Sequence, residues 1–507
     1  MSEEQRRFYV TTAIDYANGA PHLGHAFEKV GADAIARYRR LRGDAVHFVI
    51  GMDEHGQKVA QTAAAQGVTP QAWVDGVAAQ FQAAWRRLGI SHDDFIRTTE
   101  PRHKAAVAEM IRRMQAKGDL YRATYAGYYC VGCEAYKTND ELVDGHCPIH
   151  PTREIEWMEE EDWFFRLSAY QQKLLALLEE QPHFVQPESR RNEVRRMVED
   201  IKDISVSRSK LAWGIPWPGD EAHSVYVWID ALTNYLSATG FPAAGYERLW
   251  PASLHVIGKD IVRFHCVYWP AMLMSAELAL PRQVWAHGFI TLGGGKMSKS
   301  SGVSVTLDEA VERHGTDALR YFMLREIPWD GDGNFGWERF DERYTADLAN
   351  DLGNLASRTL SMVQKYRAGV VPQGARTALD ARAEQTLALY RERMDGFRLH
   401  EGLAAAFELV SAANLFVGEQ APWKLAKDPA RADVLDATLA ALIRALAVSA
   451  ALLSPFMPEK TAELWRRLGS AAEALPTLDE LPALEVGGWT VAGGAVLFPR
   501  PELAAKA

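Results

Sequence analysis

The chain has 507 residues, of which 48% are hydrophobic and 24% charged, and its formal net charge at pH 7 is −10. This length provides ample cores for about two to four domains, and the composition is that of a soluble globular protein. The negative charge argues against a protein that coats nucleic acids, although not against a local basic surface.

The first residues of the chain contain no apolar signal segment, and no run in the chain approaches the ~18 apolar residues of a membrane span. The sequence therefore predicts a cytoplasmic protein without membrane association. Residues 8–14 are apolar and largely β-branched or aromatic, which predicts a buried strand. Residues 22–42 have a helical pattern, and Pro21 suits the first turn of that helix.

A second strand is predicted at residues 46–50, and helical segments follow to about residue 117. Strand-like runs return at residues 225–228, 254–257 and 284–287. Each of these runs ends in polar or glycine residues, and ligands of open parallel sheets bind beyond the carboxyl ends of the strands. The alternation predicts one α/β domain, split by an insertion, with its site at that edge.

A stretch rich in tyrosine, glycine and cysteine interrupts this alternation. Cys130 and Cys133 have the spacing C-x-x-C, and Cys147 and His150 repeat that spacing after thirteen intervening residues. Three thiolates and one imidazole make a closed tetrahedral site, so we predict one structural zinc ion rather than buried thiols. His146 is an alternative fourth ligand, but it adjoins Cys147 and fits the paired spacing less well.

Residues 346–470 are helical in pattern throughout, rich in alanine and leucine with charges at helical spacing, and they predict a separate helical bundle. Residues 471–507 are mixed, with strand-like pieces at residues 488–491 and 495–498.

His22, Gly24 and His25 lie just after the first predicted strand. Two histidines three residues apart share one face of a helix, and a helix N-terminus favours phosphate. The two imidazoles can donate hydrogen bonds to a nucleotide, and the glycine lets a base or ribose approach closely. The alternative is a pair of ordinary histidines on a helix surface.

Lys296 and Lys299 belong to the motif KMSKS, which follows three consecutive glycines. A loop this flexible can close over a substrate, and its lysines can neutralise the charge that develops on a departing pyrophosphate. The alternative is a solvated loop. Both motifs together favour ATP-dependent activation of a carboxylic acid.

These two motifs resemble the signature pair of class I aminoacyl-tRNA synthetases, and the chain resembles methionyl-tRNA synthetases in particular. The resemblance rests on AIDYANGAPHLGH at residues 13–25, GMDEHG at 51–56, VYVWIDALTNY at 225–235 and the zinc motif. It covers nearly the whole chain and weakens after about residue 470. Asp15 departs from the pattern, which has tyrosine or proline there.

The resemblance implies a Rossmann-like parallel-sheet catalytic domain split by a zinc-binding insertion and followed by an all-α helical bundle. The implied parts are the first catalytic half (1–117), the insertion with its zinc knuckle (118–222), the second catalytic half (223–290), the KMSKS loop and stem-contact region (291–345), the anticodon-binding bundle (346–470) and a tail (471–507).

The resemblance also implies the roles of individual residues. The implied catalytic residues are His22, His25, Lys296 and Lys299. The implied ATP-binding residues are His22, Gly24, His25, Gly258, Asp260 and Lys299. The implied methionine-binding residues are Ala13, Tyr16, Asp53, Trp228, Ala231, Tyr235 and His287. The implied anticodon-reading residues are Asn354, Arg358 and Trp423. A packed core tryptophan is the alternative for Trp228, and a capping asparagine and a packed tryptophan are the alternatives for the anticodon set.

The implied activity is that of a methionine–tRNA ligase, which activates L-methionine with ATP and transfers it to the 3′-terminal adenosine of methionine tRNA. Its partners are then methionine, ATP and both initiator and elongator tRNAs, but not DNA or membranes. Magnesium is expected with ATP and one zinc ion in the insertion. Many relatives carry a C-terminal dimerisation module, and none is evident here, so a monomer is expected.

Other classes of protein stay open at this stage. A nucleotidyltransferase without an RNA substrate shares the ATP motifs but needs neither the zinc insertion nor the bundle. A non-catalytic RNA-binding relative does not need the two histidines and two lysines. Among synthetases, those for leucine, isoleucine, valine and cysteine are the nearest competitors, and Trp228 and Tyr235 favour methionine. The short insertion also leaves no evident room for the large editing domain of the first three.

Overall fold

The computed structural model of the chain has strands and helices in the alternation that the sequence predicts, followed by a helical domain. The structure describes residues 6–130, 135–137, 139–148, 151–152, 154–209, 213–292, 295–296 and 305–500.

The first part of the chain builds one half of the parallel sheet and the helices that cover it. Its elements in chain order are β1 (Arg7–Thr12), β2 (Asp15–Tyr16), α1 (Leu23–Leu41), β3 (Ala45–Asp53), α2 (Gln57–Ala65), α3 (Pro70–Arg87), β4 (Asp94–Arg97) and α4 (Pro101–Ala116).

A mainly antiparallel segment follows α4. Its elements are β5 (Leu120–Cys130), β6 (Ala135–Lys137), β7 (Glu156–Phe165), α5 (Gln171–Glu180), β8 (Val185–Gln186), α6 (Glu188–Glu199), β9 (Ile204–Ser205), β10 (Ser207–Arg208), β11 (Pro216–Trp217) and β12 (Asp220–Val225). Strands β6, β5, β7 and β9 form a four-stranded antiparallel sheet in that order, and β10, β12 and β11 form a three-stranded one.

The chain then completes the parallel sheet and crosses to the helical domain. The elements of this part are α7 (Val227–Ser237), β13 (Leu254–Gly258), α8 (Trp269–Ser275), β14 (Val284–His287), β15 (Ile290–Leu292), β16 (Gly295–Lys296), α9 (Leu307–His314), α10 (Thr316–Glu326), β17 (Gly333–Phe335) and α11 (Trp337–Arg343). Two π-helical segments belong to it, Phe264–Tyr268 before α8 and Tyr344–Gly353 after α11.

The last part is helical, as predicted. Its helices are α12 (Asn354–Arg367), α13 (Ala378–Asp395), α14 (Leu399–Gln420), α15 (Pro422–Leu425), α16 (Ala432–Leu453) and α17 (Pro458–Leu468).

The central sheet has seven strands in the order β2-β3-β1-β13-β14-β8, with β4 on the far side of β3, and all its pairs are parallel. After β1 the chain crosses through α1 to β3 on one side, whereas β13 pairs with β1 on the other side. Strand β1 therefore stands where the strand order reverses, and a crevice opens beyond the carboxyl ends at such a point.

The sheet is buried on both faces, as parallel sheets are. Phe8 and Val10 face a hydrophobic cluster that includes α1, α10 and the helical domain. Tyr9 points the other way, into a cluster with α4, α7 and α8. This alternation along β1 gives the sheet two cores and holds α1 between the sheet and the helical domain.

Buried polar contacts fix the position of α1 against its neighbours. Arg320 of α10 is fully buried, and its Nη2 donates to Asp33 of α1 at 2.6 Å and to the carbonyl of Pro455 at 2.9 Å. Near the end of α1, the hydroxyl of Tyr38 donates to Asp395 of α13 at 2.8 Å. The helix that begins at the crevice is therefore held by the helical domain at its other end.

The structure corrects the sequence-based prediction in three respects, two of which concern strands. The run at residues 225–228 is not a strand, because β12 ends at Val225 and α7 begins at Val227. Its apolar residues are buried on several sides of a core helix, which a short apolar run cannot distinguish from a strand. The pieces at residues 488–491 and 495–498 form no strand within the described tail, where the chain makes an isolated bridge between Val370 and Thr490.

The third correction concerns apolar length. The segments Leu399–Leu425 and Pro429–Leu453 are long and apolar enough to span a membrane, and the most apolar windows of the two are 56% and 83% buried inside the fold. Alanines and leucines interrupted by single charges build these helices, so they do not stand out as an uninterrupted run. Mostly buried core helices of helical domains commonly have this composition.

Candidate active site

A cavity of about 460 Å³ opens at the carboxyl ends of β1, β3, β13 and β14, beside the N-terminus of α1. This volume lies in the range of small-ligand sites. Twelve of the predicted ATP- and methionine-binding residues line it, namely Ala13, Tyr16, His22, Gly24, His25, Asp53, Trp228, Ala231, Tyr235, Gly258, Asp260 and His287. Residues that are far apart in sequence are therefore brought to one crevice.

His22 and His25 interlock at the start of α1. The N–H of Gly24 donates to Nδ1 of His22 at 3.1 Å, and the N–H of His22 donates to Nδ1 of His25 at 3.3 Å. The two rings stack with their centroids 3.8 Å apart. Because each Nδ1 accepts a hydrogen bond, the neutral rings carry their proton on Nε2 and present an N–H donor there.

Gly24 is required by the ring of His22. A Cβ atom at position 24 would lie 2.9 Å from Cε1 and 3.0 Å from Nδ1 of His22. Any side chain there would push the imidazole out of its capping position. The absence of a side chain at Gly24 thus makes room for the ring of His22 as well as for a bound base or ribose.

Aromatic rings form a further part of the cavity wall. The ring of Trp228 stacks on Phe264 with 3.6 Å between ring centroids and 6° between planes. Tyr235 is buried, and its hydroxyl lies 2.6 Å from Nε2 of His265, whose Nδ1 lies 3.1 Å from the carbonyl of Ile261. A carbonyl can only accept, so the neutral ring of His265 carries its proton on Nδ1 and donates to Ile261. Its Nε2 then accepts from the hydroxyl of Tyr235, which holds the phenol in one orientation.

Burial controls the protonation of this pair. Burial raises the pKa of Tyr235 well above its ordinary value, and burial lowers the pKa of His265 to about 4. Both groups are therefore neutral at physiological pH. A wall of neutral, polarisable rings suits an apolar or thioether side chain.

A buried hydrogen-bond network joins the segment after β3 to α7. Asp230 accepts from Nδ1 of His55 and from Nε2 of His103, each at 2.6 Å, and Nδ1 of His103 lies 2.9 Å from Oγ of Ser237. Burial alone would raise the pKa of Asp230, but the two histidines outweigh it and lower that pKa to about 2. This network thereby connects the chain just after Asp53 with α7, the helix that contains Trp228 and Tyr235.

We expect Asp230→Asn to lower the free energy of unfolding at neutral pH by about 2 kcal/mol, because a carboxylate pKa lowered by roughly two units contributes about that much. The contribution of a depressed carboxyl is present above its unfolded pKa of about 4 and is lost as the pH falls toward 2. Urea unfolding of both proteins across this range should show the difference shrinking in acid. A difference that is independent of pH would contradict the assignment.

Lys259, between the predicted ATP-binding residues Gly258 and Asp260, forms an ion pair with Asp332. Its ammonium donates to both carboxylate oxygens of Asp332, at 2.6 and 2.8 Å, and lies 4.7 Å from the ring centroid of Phe289. Asp332 also accepts from the N–H of Phe289 at 2.8 Å. This contact ties the loop after β13 to the segment that leads to β15 and β17.

The KMSKS motif lies mostly beyond the described part of the chain. Strand β16 pairs antiparallel with β15, with Lys296 opposite Thr291, and Ile290 of β15 lines the cavity. The side chain of Lys296 and the whole of Lys299 lie outside the described residues. Their predicted catalytic roles stay predictions.

The predicted zinc ligands are only partly described. Cys130 ends β5, and both Cys130 and Cys147 are fully buried, whereas His146 is exposed. Cys133 and His150 lie outside the described residues. Within the described residues no group of three or more potential ligands comes together, so the zinc site stays a prediction.

The predicted anticodon residues lie on the surface of the helical domain. Asn354 is exposed at the start of α12, and Arg358 is half-buried one turn later. Trp423 of α15 is 42% exposed, which is more than a packed core tryptophan shows. The side chain of Asn414 donates to Asp351 just before α12 and fixes α14 against that helix.

Several residues that line the cavity were not identified from the sequence. They are Ile14, Asp15, Asn18, Glu28, Lys58, Val227, Leu232, Ile261, His265, Gly288, Phe289 and Ile290. A charge within an apolar stretch of a helix is a usable signal for Glu28, because helical periodicity puts it on the buried face of α1. The sequence alone gives no such signal for His265.

Two family models match the chain. The model described as "tRNA synthetases class I (M)" matches residues 8–156 and 149–360. The model described as "Anticodon binding domain of methionyl tRNA ligase" matches residues 368–500.

Curated relatives and solved structures agree with those models. Methionine–tRNA ligase of Brucella melitensis is 46% identical over 512 residues, which cover 99% of this chain and 98% of the relative. That of Bacillus subtilis is 42% identical over 527 residues, covering 99% and 79%. The structure of Mycobacterium tuberculosis methionyl-tRNA synthetase with methionyl-adenylate has a TM-score of 0.94 at 43% identity, covering 98% of this chain and 100% of that one. The free-state structure of that enzyme has a TM-score of 0.88 at 39% identity, covering 99% of each chain.

Proposed function

The chain belongs to the methionyl-tRNA synthetase family of class I synthetases, and we propose from that premise that it activates L-methionine with ATP and charges methionine tRNA. The observation that carries this proposal is the single crevice at the strand reversal. It is lined by a helix N-terminus with two interlocked imidazoles, by the carboxylate of Asp53 and by the aromatic wall. These features fit the phosphates of ATP and the ammonium and thioether of methionine.

In the activation step, an oxygen of the methionine carboxylate attacks the α-phosphorus of ATP. The new P–O bond gives methionyl-adenylate, and the bond to the β-phosphate oxygen breaks, so pyrophosphate leaves with that electron pair. The Nε2–H groups of His22 and His25 donate to phosphate oxygens as charge builds on them. Lys296 and Lys299 supply further positive charge to the leaving pyrophosphate. Little covalent chemistry is required of the protein, so positioning and charge stabilisation provide the rate.

In the transfer step, a terminal ribose hydroxyl of the tRNA attacks the carbonyl carbon of the adenylate. The ester bond forms, the bond to the phosphate oxygen breaks, and AMP leaves while the hydroxyl proton passes to solvent or to AMP. Magnesium bound with ATP would screen the phosphate charges, and it usually keeps several waters rather than a protein cage. Asp53 and Asp260 lie at the crevice, where methionine and ATP would sit.

The test of this function is amino-acid-dependent exchange between ATP and pyrophosphate without tRNA, across methionine, leucine, isoleucine, valine and cysteine. We expect exchange with methionine alone. Exchange with another amino acid would keep the fold and mechanism but reject the methionine pocket. No exchange with any of them, in folded protein, would favour a non-catalytic RNA-binding relative.

We also propose that Cys130, Cys133, Cys147 and His150 hold a structural zinc ion. Two observations support it: the donor set suits zinc, and Cys130 and Cys147, the two described cysteines of the motif, are fully buried. The ion would hold the insertion in shape and take no part in the reaction.

We expect Cys130→Ser to lower the bound zinc from one ion per chain and to destabilise the insertion, since ligand loss removes folding energy from a small metal module. Metal content by mass spectrometry and limited proteolysis measure the two effects. Cys266→Ser is the matched control, because that buried cysteine belongs to the catalytic core and should leave zinc unchanged. Full zinc retention in Cys130→Ser would contradict the ligand set.

Asn354, Arg358 and Trp423 are proposed to read the anticodon. Their surface positions at the start of α12 and on α15 support this role. Asn354 and Arg358 offer hydrogen bonds to unstacked bases, and Trp423 offers a stacking surface.

We expect Trp423→Ala to raise the KM for tRNA by about 10- to 100-fold and to leave pyrophosphate exchange unchanged, since stacking of one base is worth about 1–3 kcal/mol. Aminoacylation kinetics measure the first effect and exchange the second. Leu415 is another exposed apolar residue of the helical domain, so Leu415→Ala is the matched control. Equal losses in charging and in exchange would indicate a folding defect instead.

The monomeric state, the cytoplasmic location and the charging of both initiator and elongator tRNAs remain predictions. The mass of the protein in solution tests the first of these directly, and a stable dimer would reject it.

A further inference from the structure

Lys29 places a positive charge in the interior of the protein, beside the crevice. The residue lies in the second turn of α1 and is completely buried. Its ammonium has three N–H donors, and three acceptors surround it, the carbonyl of Ala13 at 2.9 Å, Asp15 at 2.8 Å and Glu28 at 2.7 Å. Every donor of this ammonium therefore has a partner.

The bond to Ala13 sets a peptide group at the edge of the cavity. The N–H of Ala13 donates to the carbonyl of Val256 at 3.0 Å, and its carbonyl is held by Lys29. In a trans peptide the C=O and the next N–H point in opposite directions. Fixing that carbonyl toward α1 therefore directs the N–H of Ile14, a residue that lines the cavity, away from α1.

The bond to Glu28 leads to the end of β14, which also borders the cavity. Oε1 of Glu28 accepts from Lys29, and Oε2 lies 3.1 Å from Nε2 of His287 at the end of β14. Nδ1 of His287 lies 2.7 Å from the carbonyl of Gly288, and its ring stacks on Trp329. One buried cation thus fixes two lining residues at different strand ends, Ala13 through its carbonyl and His287 through the carboxylate of Glu28.

Asp15, whose presence the family pattern does not explain, is the third acceptor. Its side chain is buried, and its Oδ2 has no hydrogen-bond partner among the described residues. Burial raises the pKa of Asp15 to about 7 although Lys29 opposes this, while Asp15 and Glu28 outweigh burial and raise the pKa of Lys29. Asp15 lines the cavity itself, and its carboxylate offsets the charge of Lys29.

We propose that Lys29 is a positioning residue for methionine, which holds the Ala13–Ile14 peptide and, through Glu28, His287 in the geometry that binds the amino acid. The inference rests on the proposed function and deepens it. Asp15 is in this scheme the charge partner that makes a buried lysine tolerable at this position. The two roles can be separated by experiment.

The experiment compares Lys29→Met with the double variant Asp15→Asn/Lys29→Met in pyrophosphate exchange and thermal unfolding. The methionine side chain at position 29 fills the volume of the lysine but leaves two buried carboxylates without their cation. The single variant should therefore unfold at a lower temperature. The double variant removes one of those charges and should recover much of the loss. Neither variant can hold the carbonyl of Ala13, so we expect both to raise the KM for methionine by about 10- to 100-fold, with the KM for ATP within about twofold of its value in the unaltered protein.

The matched control is Arg444→Met. Arg444 and Asp380 form a comparably buried ion pair in the helical domain, and its loss should lower the unfolding temperature without changing the KM for methionine. If the double variant regains both stability and the KM for methionine, Lys29 is only structural and the inference is wrong. If the unaltered protein shows no methionine-dependent exchange, the proposed function fails instead, so the two failures are distinguishable.

Discussion

His25→Ala is expected to lower the rate of methionine-dependent pyrophosphate exchange by about 10²- to 10³-fold, the usual effect of removing one donor from a site where charge develops. The structure specifies which nitrogen matters. Nδ1 of His25 accepts from the N–H of His22, so the ring presents its Nε2–H for a phosphate oxygen. The loss should appear mainly in kcat, because the contact strengthens as the α-phosphorus is attacked.

Two further substitutions separate donation from capping. The amide nitrogen of glutamine reaches the place of Nε2, whereas the amide of asparagine reaches the place of Nδ1. His25→Gln should therefore keep more exchange activity than His25→Asn if donation to phosphate is the role. The opposite order would show that the cap of α1 is what the residue provides. Thermal unfolding of both variants is the control, since loss of a cap costs about 0.5–2 kcal/mol.

Asp53→Asn is expected to raise the KM for methionine by about 10²- to 10³-fold, with the KM for ATP little changed. Asp53 is buried where β3 ends at the cavity, and we assign its carboxylate to the α-ammonium of methionine. Truncating one partner of a buried charge pair costs about 2–5 kcal/mol, partly because the other charge stays unpaired. Asparagine keeps the shape of the side chain, so the change isolates the charge.

A thioether carboxylic acid without the α-amino group is the matched ligand for this test. It should inhibit the unaltered protein weakly and Asp53→Asn to a similar extent, because the missing ammonium and the missing carboxylate are the two halves of one interaction. The KM for methionine, in contrast, should differ strongly between the two proteins. If the substitution weakens both ligands equally, Asp53 shapes the pocket rather than binding the ammonium.

The predictability of this site depends on whether a residue acts through its own motif or through a distant partner. His22 and His25 interact within one helical turn, so their spacing predicts their shared face. Glu28 and His287 are 259 positions apart, and no local pattern indicates that they meet. Lys29 is less predictable still, because a lysine beside a glutamate on a helix is ordinarily solvated.

The secondary structure was predicted correctly where the hydrophobic period of the sequence was unambiguous. The prediction was wrong where a short apolar run fitted both a strand and a buried helix. The long helix at residues 22–42 and the strand end at His287 follow from pattern alone, whereas β3 extends three residues beyond the predicted end at residue 50, to Asp53. The run at residues 225–228 is wholly apolar, and only its last two residues belong to α7, which is buried on several sides; a run this short does not reveal the helical period. In the tail, β-branched residues pack on the helical domain as irregular chain, since packing rather than intrinsic preference decides such segments.

The mutual capping of the two histidines has a consequence for how this chain can vary over generations. The ring of His22 receives the N–H of Gly24, the ring of His25 receives the N–H of His22, and a side chain at position 24 would displace the first ring. The effect of changing any one of these residues therefore depends on the others, which is epistasis in the strict sense. A substitution at any one of the three positions disturbs a contact made by another, so we expect changes at this turn to be better tolerated in combination than singly.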